Sequence, residues 1–288
     1  MLVHIKEIIP KAVKGNYAVP AFNTFNLETT LAIVRGAVEK KSPVIIQISE
    51  KTIQYAGLKP ITHIMETIAK NEAVKVPVAL HLDHGKSFHS VAECISAGFS
   101  SIHIDASELP FDENVALTKQ STDYAHKNKC WTQGELGKIL GQKDVVEEKD
   151  SSDLNKYLTD PAQAEKFVKQ TKIDTFAPSV GAMHGIFKGQ EKIDQNLLKE
   201  IQSKTNLPLV LHGASGVSDE DIKLAIKNGV AVINIDTRLR EVFTNRLRQT
   251  LMSKVHEIDP RNILTPSIEA VQKIVEEKIE LFGSAGKA

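Results

Sequence analysis

Only two cysteines, Cys94 and Cys130, occur in 288 residues. That excludes a disulfide scaffold and fits a reducing compartment. Charge of one sign is also lacking: 36 Lys and Arg balance 36 Asp and Glu. A neutral chain has no bulk attraction for nucleic acid or an anionic membrane. No run approaches the roughly 20 consecutive apolar residues that cross a bilayer. The first sixteen residues mix charges into an apolar pattern and offer no small-residue cleavage site, so no signal peptide is expected and the expected location is cytoplasmic. Low-complexity and Pro/Ser-rich linkers are missing too, which favours one compact domain over 1–288. What remains is an ordinary soluble composition, 41% apolar and 25% charged.

Eight short runs rich in apolar and β-branched residues recur along the chain. They are AVPAFN (18–23), PVIIQIS (43–49), PVALHLDH (77–84), SIHIDA (101–106), CWTQGEL (130–136), TFAPSVG (175–181), PLVLHG (208–213) and VAVINID (230–236). Near-continuous apolar character, rather than strict alternation, marks strands buried on both faces. Segments with a helical apolar stripe lie between them, such as LETTLAIVRGAVEKK and SDEDIKLAIKNG. Asp160-Pro161 has the form of a helix start, and Gly98 and Gly229 stand where helices should stop. Eight strands alternating with helices predict a (β/α)8 TIM barrel, α/β in class, with an extra C-terminal helix after residue 259. A doubly wound sheet would carry a glycine-rich first turn, and NTFNLE has no glycine. The charged stretch from Lys138 to Asp160 is too long for an ordinary connection and is expected to be a lid.

Active sites of such barrels lie at the C-terminal strand ends. Those ends carry Asn23, Ser49, Asp83-His84, Asp105, Glu135, His184 (beyond the sixth strand), His212, Asn234 and Asp236-Thr237. Three imidazoles, His84, His184 and His212, are each followed by glycine and would meet around one mouth. Three histidines with an open position are a catalytic zinc set. Asp83 beside them suits a general acid/base, or a carboxylate that orients a histidine. Asp105 and Glu135 suit supporting carboxylates, an alternative metal position, or salt bridges across the mouth. His81 and His103 are expected to face away or sit deeper, and His4, His63, His89, His126 and His256 to fall on helices. The last two loops, with Gly213, Ser215, Gly216 and Thr237, have the small residues and helix N terminus of a barrel phosphate site, to which Lys188 could add charge.

VPAFN, VALHLDHG, GELG, HGIFKG, LVLHGASGV and INIDT follow one another in an order and spacing that resembles the class II, metal-dependent fructose-1,6-bisphosphate aldolases. The resemblance spans nearly the whole chain. It implies reversible aldol cleavage of a sugar bisphosphate to two triose phosphates, with Zn2+ on His84, His184 and His212 and the carboxylates of Asp105 and Glu135 near the metal. A second metal or a monovalent cation is left open. Asp83 then exchanges a proton with the C4 hydroxyl. Gly181, Lys188, Gly213, Ser215, Asn234, Asp236 and Thr237 surround the dihydroxyacetone-phosphate half, and Asn23 and Ser49 line the other. Arg261 would reach the far phosphate from a neighbouring subunit of a homodimer or homotetramer. Two departures stand out: Lys143 occupies the family's lid glutamate, leaving Asp144, Glu147 or Glu148 as the C3 acid/base, and Ala106 replaces a common glycine. Tagatose-1,6-bisphosphate aldolase is the alternative. Ser49-Glu50-Lys51 is closer to the fructose type.

Overall fold

The computed structural model describes residues 1–139, 157–182 and 192–288, with the backbone of 145–146 and 186–187. Asp144, His184, Lys188 and most of the expected lid lie outside the described residues.

Eight parallel strands close into a barrel: β1 (Val19–Asn23), β2 (Val44–Ser49), β3 (Val78–Gly85), β4 (Ser101–Ile104), β5 (Trp131–Leu136), β7 (Thr175–Pro178), β9 (Leu209–Leu211) and β10 (Val230–Ile235), with β10 returning to β1. These are the eight apolar runs of the sequence. Two further strands, β6 (Val145–Val146) and β8 (Ile186–Phe187), pair with each other outside the barrel and tie the loops after β5 and β7 together.

Helices connect the strands: α1 (Ile9–Gly15), α2 (Leu27–Glu39), α3 (Glu50–Ala56), α4 (Leu58–Glu72), α5 (Phe88–Ser96), α6 (Phe111–Lys127), α7 (Pro161–Thr171), α8 (Gln195–Thr205), α9 (Asp219–Lys227), α10 (Thr237–Ser253) and α11 (Pro260–Leu281). The expected punctuation holds. The Asp160 side chain accepts from Gln163 N at 2.7 Å with Pro161 in the first turn. Gly98 and Gly229 take positive φ of 96° and 104°, conformations that favour glycine. The C-terminal helix α11 covers its own barrel. It buries Val271, Ile274, Val275 and Ile279, and a Cβ on Gly36 of α2 would lie 2.7 Å from Val275 Cγ1, so the two helices meet backbone to side chain.

The N-terminal end of the barrel is closed by the chain's own start. Ile5, Ile8, Ile9 and Ala12 pack against Val19, Ala21, Ile45, Ala79, Val210 and Val232 from the strands. The polar residues of the interior begin one layer above that apolar plug.

Candidate active site

Side chains two apart on a strand face the same way. Stepping by two from the plug toward the C-terminal mouth gives Ala21 then Asn23, Ile45 then Gln47, Ala79 then His81 then Asp83, and Val232 then Asn234. All of these polar side chains are buried.

His84 breaks the alternation. Strand β3 pairs Leu82 with Ile102 but Gly85 with Ile104, so one extra residue sits on β3. This bulge puts His84 at φ +50°, a left-handed conformation costly for a side chain of this size. Surrounding bonds hold it there. His84 N donates to His103 Nδ1 (3.3 Å), and His84 Nδ1 meets Asp105 Oδ2 at 2.7 Å. Adjacent residues Asp83 and His84 therefore both serve the mouth, with Asp83 Oδ1 3.8 Å from His84 Nε2.

Amides clasp both oxygens of Asp83. Asn23 Nδ2 donates to Oδ2 (2.8 Å) and Asn234 Nδ2 to Oδ1 (3.3 Å), while Gln47 Nε2 fixes Asn23 through its Oδ1 (2.7 Å). Burial opposes charge on Asp83, but the His84 imidazole and the neighbouring histidines hold it well below the usual carboxylate range. Asp105 is shared by His84, by Lys86 Nζ (2.7 Å) and by Ser107 Oγ (2.7 Å). Burial, reinforced by the Asp105 charge, pushes Glu135 up to about 8. His84 is buried too, which works against its charge, yet Asp83, Asp105 and Glu135 together raise it to about 10. The pocket favours a positive charge at its centre.

The donor set fits a metal ion. His84 Nε2 and His212 Nδ1 face each other at 3.1 Å. Two nitrogens on one tetrahedral zinc, each at about 2.0–2.1 Å, would lie about 3.4 Å apart. His103 Nε2 and Glu135 Oε2 are buried 3.5 Å apart without hydrogen-bond partners among the described residues. Ligand atoms of Asp83, His84, His103 and His212 lie within 4.8 Å of one another, as do those of His84, His103, Asp105 and Glu135. His103 uses its Nδ1 to accept from His84 N, so its Nε2 carries the ring proton toward Glu135. His103 thereby also supports the bulge.

The structure thus gathers Asn23, Asp83, His84, Asp105, Glu135, His212 and Asn234. Ser49 immediately precedes α3, without a side-chain cap bond, and lies opposite Asp83 in the ladder. Gly181 follows β7 with φ +101°, and a Cβ there would meet Lys192 O at 2.5 Å. Gly213 (φ +68°) and Ser215 form the turn after β9, and Asp236, its carboxylate bonded to Arg240 Nε at 3.1 Å, immediately precedes α10, which Thr237 opens. Arg261 is not drawn into the cluster. It sits at the start of α11, 88% exposed, with Nη2 2.7 Å from Asp259.

Of the two expectations for His103, facing away or sitting deeper, the first is corrected: it is buried one step below Asp105, with its ring centre 4.7 Å from that of His84 and 5.1 Å from that of His212. His81 does sit deeper, its Nδ1 2.9 Å from Ser101 Oγ. His63, His89 and His126 lie on helices, whereas His4 caps a three-residue turn and His256 lies between α10 and α11. Lys86 and Gln133, whose side chain contacts His212, were not singled out from the sequence. The step of two down from Asp105 and Glu135 would have pointed to His103 and Gln133.

A closed parallel barrel with imidazoles and carboxylates buried at its C-terminal mouth is the form of a metal-dependent barrel enzyme. The family model "Fructose-bisphosphate aldolase class-II" matches residues 3–287. The chain belongs to the class II fructose-bisphosphate aldolase family, whose members are metal-dependent lyases. It is similar to the fructose-bisphosphate aldolase of Geobacillus stearothermophilus, with 41% identity covering 100% of this chain and 99% of that protein. The probable fructose-bisphosphate aldolase of Bacillus subtilis shows the same identity and coverage. Among solved structures, the YdjI aldolase of Escherichia coli K12 matches with a TM-score of 0.86 and 33% identity, covering 100% of both chains.

Proposed function

We propose that the chain, acting as a single domain, catalyses the reversible cleavage of fructose 1,6-bisphosphate to dihydroxyacetone phosphate and glyceraldehyde 3-phosphate. One zinc ion would be held by His84, His184 and His212. The observation that carries this is the amide-clasped Asp83 next to two imidazole nitrogens that face each other at 3.1 Å. When bound, the ion supplies Lewis-acid polarisation of the ketose carbonyl. Asp83 takes the C4 hydroxyl proton as the C3–C4 bond opens, and Asn23 and Asn234 keep its two oxygens aimed at that hydroxyl. Asp144, in the stretch after β5, is the candidate to exchange the proton at C3.

The phosphate of the dihydroxyacetone half would lie on the loops after β9 and β10. Gly213 and Ser215 offer backbone N–H groups and a hydroxyl there, and the 17-residue α10 begins at Thr237. Gly181, Lys188 and Asp236 complete that half, and Asn23 and Ser49 face the other. Arg261 supplies the far phosphate contact from a second subunit. Exposed Leu251, Met252, Val255 and Ile258 form an apolar stretch just before it, in keeping with a homodimer or homotetramer. The names of the similar proteins favour fructose over tagatose.

Cleavage of fructose and tagatose 1,6-bisphosphates by the purified protein, with and without a chelator, tests this. Faster fructose cleavage that chelation abolishes and zinc restores is expected. Full activity after exhaustive chelation, or borohydride trapping of a lysine–substrate adduct, overturns it.

A further inference from the structure

The two facing imidazoles are held from behind by different chemistries. His84 Nδ1 meets a carboxylate, Asp105 Oδ2 at 2.7 Å, which can only accept while ionised. His84 Nε2 is thereby turned toward His212. His212 is backed instead by an amide: Gln133, on β5 and 3% exposed, places Nε2 2.7 Å from His212 Nε2. His212 itself is 1% exposed. An amide is a donor on one side and an acceptor on the other, with nearly the same shape either way.

Two bonding patterns satisfy this pair. In the first, Gln133 Nε2 donates to His212 Nε2. The ring proton of His212 then sits on Nδ1 and faces His84 Nε2 across 3.1 Å, an arrangement that holds only while His84 carries no proton on Nε2. In the second, the amide is turned over, Gln133 Oε1 accepts from His212 Nε2–H, and Nδ1 presents its lone pair to the space between the rings. Any positive species in that space admits only the second pattern, because a nitrogen bearing a proton cannot ligate. Asn234 Nδ2 stands 3.4 Å from both His212 ring nitrogens and so prefers neither.

We infer that Gln133 is a positioning residue whose amide orientation selects the His212 nitrogen offered to the metal. This rests on the proposed metal site. His84 is preset for ligation by Asp105, whereas His212 is competent only with the Gln133 amide oxygen toward its Nε2. A carboxylate at 133 would lock the competent state, and an apolar side chain of equal length would remove this bond. Loss of such a supporting bond typically weakens metal binding 10–100-fold.

The experiment is zinc affinity of the full-length protein, measured by competition with a chromophoric chelator and needing no substrate. Gln133→Met should bind zinc about 10–100-fold more weakly than the parent. Gln133→Glu should bind at least as tightly as the parent, a rescue that a merely space-filling role would not produce. Gln133→Met within twofold of the parent, or Gln133→Glu weakened as much as Gln133→Met, overturns the inference. If the parent itself fails to bind zinc, the underlying metal site falls, and this inference with it.

Discussion

The two ends of the barrel interior are built by the same strands and differ by a step of two residues. At the closed end, Ala21, Ile45, Ala79, Val210 and Val232 meet Ile5, Ile8 and Ile9 with no polar atom to satisfy beyond the backbone. One step further along the same strands stand Asn23, Gln47, His81, His212 and Asn234, where several buried atoms have no hydrogen-bond partner among the described residues. These include Gln47 Oε1, His81 Nε2 and Asn234 Oδ1. Burying such atoms unpaired costs stability, and burying apolar ones gains it. The plug end holds the barrel shut so that the mouth end can keep charges and unsatisfied polar atoms poised. The separation is by layer, not by domain or by loop.

That division predicts which changes harm chemistry and which harm folding. The largest effect belongs to the mouth. Asp83→Ala should lower kcat by about 10²–10⁴-fold, the usual worth of a general acid/base, with zinc binding and thermal stability kept. Steady-state kinetics beside metal analysis check this, and loss of the metal would show that Asp83 orients a ligand instead. The next effect belongs to the plug. Ile9, 1% exposed, changed to Ala should cost about 2–5 kcal/mol of unfolding free energy in urea titrations, while kcat and zinc affinity of the folded protein stay within twofold. A matching loss of activity at 25 °C would mean that the layers are coupled after all.

The smallest effect lies between the layers. Burial lowers His81 to about 3. The folded protein therefore keeps this ring neutral while the unfolded chain takes up a proton below about 6.5. The unfolded state binds more protons in that window, so stability falls as pH falls from about 6.5 toward 3, by up to about 1.4 kcal/mol per pH unit from this group. His81→Gln should remove that contribution. Between pH 6.5 and 4.5 the metal-stripped parent should lose about 2 kcal/mol more than the variant in urea unfolding. Parallel pH profiles would show that His81 is reached by water.

The barrel was legible because parallel strands buried on both faces leave unbroken apolar runs, and all eight runs became barrel strands. The polar ends of those runs led correctly to Asp83, His84, Asp105, Glu135, His212 and Asn234 as neighbours. The pair α3 and α4 was not legible: Gly57, at φ +78°, splits the segment, and α3 is only seven residues long. His103 was left between facing away and sitting deeper because an imidazole within an apolar run reads as core, whereas its face follows from its distance to Asp105. Gln133 had no visible signal beyond that same step. Arg261 illustrates a different limit, since the packing of a single chain does not test a residue expected to act on a second subunit.

The bulge in β3 also bears on transplantation. A plain strand sends neighbouring side chains to opposite faces, so copying Asp83 and His84 alone onto another barrel would aim one of them into the helix layer. The smallest portable unit is the stretch Leu82–Gly85 together with its facing partners. Gly85 is part of it because a Cβ there would come within 2.9 Å of His103 O. Asp105 and His103 are part of it because they hold His84 in its left-handed turn. A designer borrowing this centre would have to move two adjacent strands as a block, and a single inserted or deleted residue in either would be enough to spoil the graft.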